Sequence, residues 1–178
     1  MSTANASVAP AHKERWSKTK TLNIVCGLTI AWLLAVKLVG AFVHLGVDPQ
    51  PTPCLPWRYF IVGQQIPDSI ERGKIYMYRA YRIPMMPNGI HVAKYAGAIA
   101  GDHVVVNEQG IFINGHLWGP LNKEVMMKGR MTMDDVRADY VVPTGKVLML
   151  GTMPNTWDGR YWGLVKLDQI DGKAVPLW

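Results

Sequence analysis

The sequence predicts a mainly β domain behind one N-terminal apolar helix. Three observations carry this. Residues 22–47, LNIVCGLTIAWLLAVKLVGAFVHLGV, form a long apolar run interrupted by Lys37. Beyond it, short stretches rich in β-branched and aromatic residues alternate with Gly, Pro and Asn turn signals. No internal repeat or low-complexity segment interrupts that pattern. A length of 178 residues suits one modest domain with an extra segment. With 49% hydrophobic and 18% charged residues, the composition excludes a disordered chain.

The elements follow in order. Residues 1–21 form a basic tail. Lys13, Arg15, Lys18 and Lys20 stand there against Glu14, half of the chain's net charge of +6. The tail lacks the length and interleaved aromatics of a nucleic-acid arm, so no nucleic-acid partner is expected. It fits the flank of a membrane span better. About 24 helical residues reach roughly 36 Å, enough for a bilayer core of about 30 Å. AFVHLG is a poor small-residue cleavage site, so 22–47 is expected to be an uncleaved transmembrane anchor. The positive flank places the tail in the cytoplasm and residues 48–178 outside. Lys37 within the run costs about 2.5–3.5 kcal/mol at a bilayer centre. It either snorkels outward or meets another membrane helix.

Residues 46–58, GVDPQPTPCLPWR, hold four prolines and read as a rigid extended arm. Strands are expected at 59–62, 74–81, 103–107, 111–114, 146–150 and in RYWGLVKL at 160–167. Residues 66–73 read as a turn or short helical piece, and 83–89 as a loop. HVAKYAGAIA, 91–100, fits strand or helix by pattern, and its surroundings favour strand. Turns are expected at NEQG and at Asn114–Gly115. TMDDVRADY reads as a short helix with Thr132 and Asp135 in a capping box.

Few residues carry chemistry by pattern. GxGxxG, GxxxxGK, HExxH and CxxC are all absent, so neither cofactor nor metal is expected. The two cysteines, Cys26 in the span and Cys54 in the arm, do not form a disulfide framework. A Cys-His pair of Cys54 with His91, His103 or His116 satisfies composition, although those histidines also read as ordinary strand and turn residues. Lys94 lies among alanines and glycines, with no carboxylate before Asp102. It reads either as an exposed strand residue or as a desolvated amine. Desolvation disfavours the charged form, and a neutral amine is a usable general base.

Four blocks in order decide between these alternatives: PTPCLPWRYF after the anchor, KYAGAIAGDHV, GIFINGHLW, and MLGTMPNTWDGRYWGLVKLDQIDGKAVPLW. Together they resemble the signal peptidase I superfamily, and within it most closely the conjugative-transfer, TraF-type pilin-processing peptidases. The resemblance implies an antiparallel β-sheet catalytic domain at 48–178 on the outer, periplasmic face of a bacterial inner membrane. It implies a nucleophile at Cys54, where the family has serine, and a general base at Lys94. A thiol ionises more readily than a hydroxyl and is the better nucleophile. Attack on a peptide carbonyl would give a thioester acyl-enzyme. The likeness also implies an oxyanion hole from the Thr52 hydroxyl and the Cys54 N–H, and Asp158 and Arg160 as a brace around the site. Gly159 stands where the family has a serine near the lysine, and Thr156 is the candidate to replace it. The implied substrate is an exported precursor, a conjugative pilin in the TraF-type relatives, released as a linear or head-to-tail cyclic product. Membrane lipid and the membrane proteins of a secretion machine are the other implied partners. A general signal peptidase and a non-catalytic assembly factor are the alternatives.

Overall fold

The computed structural model describes residues 17–48, 53–65 and 67–177, in two compact units that meet in sequence at Val39 and Gly40. The first holds all but the last residue of helix α1, Lys18–Gly40. Its most apolar 18-residue stretch has a mean hydropathy of 2.1 and the helix buries nothing, so Leu22, Trp32 and Leu34 are all exposed. A helix apolar on every side needs an apolar surrounding, and this one is long enough to cross a bilayer. Lys37 falls in its last turn, where the carbonyl-rich end favours a cation.

The apolar run therefore divides, against the expectation of one element over 22–47. Residues 43–47 form strand β1, Val43–Val47, in register with β2, Tyr59–Gly63, from Val43↔Gly63 to Val47↔Tyr59. Two valines and the partner strand outweigh the helical continuation that hydropathy alone suggests.

The second unit is mainly β. Following β1 and β2 come β3 (Ile75–Arg79), β4 (His91–Ala98), β5 (His103–Asn107), β6 (Gly110–Ile113) and β7 (His116–Gly119). Then follow helices α2 (Lys123–Gly129) and α3 (Met133–Val136), strands β8 (Ala138–Val141) and β9 (Lys146–Leu150), the single turn α4 (Gly159–Trp162), β10 (Val165–Lys166) and β11 (Ile170–Pro176). A seven-stranded sheet runs β1-β2-β11-β3-β4-β9-β10, and a four-stranded one β7-β6-β5-β8, every described pair antiparallel. β11 enters between β2 and β3.

Strand β3 shows why the larger sheet is stable. Successive side chains point to opposite faces. Ile75 and Met77 pack with Leu55, Phe60, Val62 and Ala174, while Tyr76 and Tyr78 pack with Val92, Ala96, Met149 and Ile170 on the other face. Both faces are covered, so β3 carries apolar or aromatic residues at every position but its last.

Local signals account for the connections. Asn114 and Gly115 have φ of 50° and 80°, the two positive values of a tight hairpin turn between β6 and β7. The Thr132 N–H and hydroxyl both donate to Asp135 at 2.7 Å, forming the capping box at α3. Residues 160–167 depart from the expected strand. The Asp158 carboxylate caps the Arg160 N–H at 3.1 Å, and Gly163 at φ 93° ends the turn, so 159–162 coil and only Val165–Lys166 pair with β9.

Candidate active site

The site gathers where β4, the end of β9 and the Cys54 arm converge. Lys94 lies on β4 opposite Tyr76 of β3, on the face that also carries Val92 and Ala96. Its side chain is fully buried, at 0% exposure. The amine donates to the Thr156 hydroxyl at 3.0 Å. No carboxylate pairs with it among the described residues, so a buried basic group faces a neutral hydroxyl. That is an expensive arrangement for a charged amine.

Cys54 is free and 6% exposed. Its carbonyl accepts from the Thr152 N–H at 3.1 Å and the Met153 N–H at 3.4 Å, which ties the arm to the segment after β9. The residue lines a cleft of about 220 Å³ with Asp48, Phe60, Met77, His91 and Val92. Among the described residues the Lys94 amine bonds to Thr156 and not to the Cys54 sulphur. Such contacts often close only when substrate is bound.

Gly151 lies between the two. A Cβ on it would stand 2.7 Å from the Cys54 carbonyl oxygen and collide with the Thr156 hydroxyl. No other residue fits this approach. Its N–H donates to Asp158 at 2.8 Å, and its carbonyl accepts from Arg160 at 2.9 Å and Trp118 Nε1 at 3.2 Å. Asp158 is fully buried and accepts from Arg160 Nε at 2.9 Å and Nη2 at 2.8 Å, a bidentate pair. Arg160 Nη1 donates to the Pro120 carbonyl at 2.9 Å. The pair fixes the backbone on which Thr156 and Cys54 rest.

Of the residues expected from sequence, Cys54, Lys94, Thr156, Asp158 and Arg160 thus come together around Gly151, and Thr52 lies outside the described residues. The histidines sit elsewhere in their bonding. His91 Nδ1 is 2.8 Å from Asp171, and His103 Nε2 is 2.6 Å from Asp139. His91 shares the cleft with Cys54, with its imidazole engaged on Asp171. Asp102, eight residues after Lys94, shapes the turn out of β4 by accepting from the Ile99 N–H at 2.9 Å and Asn114 Nδ2 at 2.8 Å.

Two residues escaped sequence reading. Gly151 matters through its neighbours, which a lone glycine after a strand does not reveal. Tyr78 is fully buried. Burial above all, and then negative charge on Cys54 and Asp158, hold its phenol well above the ordinary tyrosine value. Its place beside the site follows from strand register, not from its own sequence neighbourhood.

The β unit thus holds a buried lysine on a hydroxyl and an ion-paired brace around Gly151. The model of the family described as "Signal peptidase, peptidase S26" matches residues 15–178. The chain belongs to that family. It is 27% identical over 85 residues to a signal peptidase I of Bacillus caldolyticus, covering 43% of this chain and 47% of that protein. The chain thus spans about half the length of the curated relative it matches. A solved signal peptidase I from Enterococcus faecalis covers 60% of this chain and 97% of its own at 23% identity, with a TM-score of 0.37.

Proposed function

We propose that this protein is a membrane-anchored peptidase that matures an exported precursor through a Cys54–Lys94 pair. The observation that carries the proposal is the buried Lys94 amine, paired with the Thr156 hydroxyl and with no described carboxylate. A lysine that served only solubility or structure would be exposed or ion-paired. Membership of the peptidase family supports the same reading.

In the proposed reaction the Cys54 proton passes to Lys94, and the sulphur attacks the scissile carbonyl. Lys94 then protonates the leaving amine, and a thioester remains. The Cys54 N–H and the Thr52 hydroxyl serve as oxyanion donors. Asp158 and Arg160 hold the backbone, and Thr156 aims the amine. The helix α1 anchors the chain in a bacterial inner membrane, with residues 48–178 on the periplasmic side. The precursor is a conjugative pilin, as the TPCLP and DGRYWG blocks suggest, delivered by membrane proteins of a secretion machine. Amines attack thioesters readily, so the product is expected to close head to tail.

The test incubates full-length protein with a pilin precursor and follows the product by mass spectrometry. Cys54→Ala and Lys94→Ala are expected to abolish processing, and a mass one water below the linear product marks the ring. Intact processing in both variants would sink the peptidase reading in favour of an assembly role. The resemblance to signal peptidase I favours a second reading, a general signal peptidase. Cleavage of unrelated exported precursors at comparable rates would establish it over the specialist.

A further inference from the structure

Beside the Cys54 cleft lies a larger groove of about 600 Å³ whose charged lining is mostly cationic. Arg79 and Arg82 come from the end of β3 and the loop after it, Lys146 and Lys166 from β9 and β10, and Asp168 stands among them. Asp171 holds Arg79 at 3.0 Å. Among the described residues, Arg82, Lys146 and Lys166 have no ion pair.

These cations are placed against electrostatics. Lys146 and Lys166 are direct partners in the β9–β10 register. Opposed side chains on an antiparallel pair have Cβ atoms about 5 Å apart, and like charges there repel. Lys166 blunts the edge strand β10, but Lys146 lies on β9, inside the sheet, where no edge needs protection. Arg82 takes the left-handed conformation, at φ 54°, which is uncommon outside glycine. Its N–H donates to Asn88 Oδ1 at 2.8 Å, and its guanidinium carbon lies 5.4 Å from the Tyr81 ring centroid. The loop that carries it is pinned by the Ala80 N–H on the Ile90 carbonyl at 2.8 Å and by Trp157 Nε1 on the Pro84 carbonyl at 2.9 Å. An anion seated among these side chains would turn their repulsion into attraction.

The groove and the Cys54 cleft adjoin. Arg79 of the groove pairs with His91 of the cleft across β3 and β4, and Gly89 of the groove precedes Ile90 of the cleft. We propose that the groove binds an acidic stretch of the same precursor whose scissile bond lies at Cys54, its carboxylates reaching Arg82, Lys146 and Lys166. An extended peptide advances about 3.3 Å per residue, so a short run of residues passes from one lining to the other. The arginine fork matches a carboxylate with two bonds, and the lysines act as point charges beside it. The groove is far larger than one inorganic anion, which favours a chain of carboxylates over a lone ion. As substrate recognition, this rests on the peptidase reading above.

The test uses full-length protein in nonionic detergent and two dye-labelled peptides, one rich in glutamate and one with glutamine in each of those places. Fluorescence anisotropy should show the glutamate peptide binding about tenfold more tightly, the equivalent of one charge-assisted hydrogen bond. The preference should fade as salt rises from about 0.05 M to about 0.5 M, because the cations are exposed. Lys146→Gln combined with Lys166→Gln should abolish it, and Arg82→Gln should weaken it. The thermal midpoint of the double lysine variant should hold or rise, since a repelling pair is gone. With the precursor as substrate, that variant should raise KM far more than it lowers kcat. Equal affinity for the two peptides, a preference that the lysine variant keeps, or a precursor KM that it leaves unmoved overturns the proposal. So does short-chain phosphatidylglycerol displacing the glutamate peptide at lower concentration than the peptide itself, which would make the groove a lipid site. Intact precursor processing in both Cys54→Ala and Lys94→Ala would instead remove the peptidase reading, whereas the peptide preference is read without cleavage.

Discussion

Two basic side chains are buried in this domain, and the fold treats them in opposite ways. Arg160 donates four side-chain hydrogen bonds, two to the Asp158 carboxylate and one each to the carbonyls of Gly151 and Pro120. Lys94 is more deeply buried and receives one hydroxyl, that of Thr156. A saturated ion pair resists change and suits a brace. A buried amine with a single hydroxyl partner suits proton traffic.

The comparison can be broken most sharply at Lys94. Lys94→Met keeps the buried stem and removes the amine. Precursor processing should fall by about 10²- to 10⁴-fold, while the melting temperature holds or rises, because no buried amine remains to be accommodated. A large loss of stability would show that Lys94 is structural after all. At Arg160's partner the pattern reverses. Asp158→Asn leaves a buried guanidinium without its counter-charge and should cost about 3–5 kcal/mol in denaturant unfolding. Activity should fall only as far as the fold loosens.

Smaller changes sharpen the picture. Thr156→Val removes the one hydroxyl on Lys94 and should cost about 1–3 kcal/mol in stability, with a comparable loss in kcat that Thr156→Ser restores. A pH titration of stability probes the surrounding phenols. Burial lifts Tyr140 to about 12 and Tyr78 well above its ordinary value. The folded state therefore holds these protons after the unfolded chain has released them. Stability should be full below about pH 10 and decline as the pH climbs through the folded values, with Tyr78→Phe flattening part of that decline in alkaline melts.

Much of this was legible in the sequence, and the exceptions share a cause. Strands at 59–63, 75–79, 91–98, 103–107, 110–113 and 146–150 announce themselves by β-branched and aromatic residues between turn signals. β11, with the sequence IDGKAVP, has a weak pattern and holds its place through partners on both sides. β1 was hidden in the apolar run, and α4 looked like strand until its aspartate cap and closing glycine were seen at work. At the site, Lys94 stood out by its carboxylate-free neighbourhood, while Asp158 and Arg160 entered only through the family resemblance. Gly151 and Tyr78 did neither, because their importance lies in what strand pairing brings beside them.

The insertion of β11 between β2 and β3 sets a timetable. β2 and β3 are consecutive in sequence, yet they are not neighbours in the finished sheet. The gap between them must stay open until residues 170–176 have been supplied. Long-range closures of this kind are slow, and they leave strand edges bare while they wait. During vectorial delivery the chain would keep an unfilled slot until β11, the last described strand, is supplied. Assembly would then finish in one late step that seats β11 and joins the Cys54 side of the sheet to the Lys94 side.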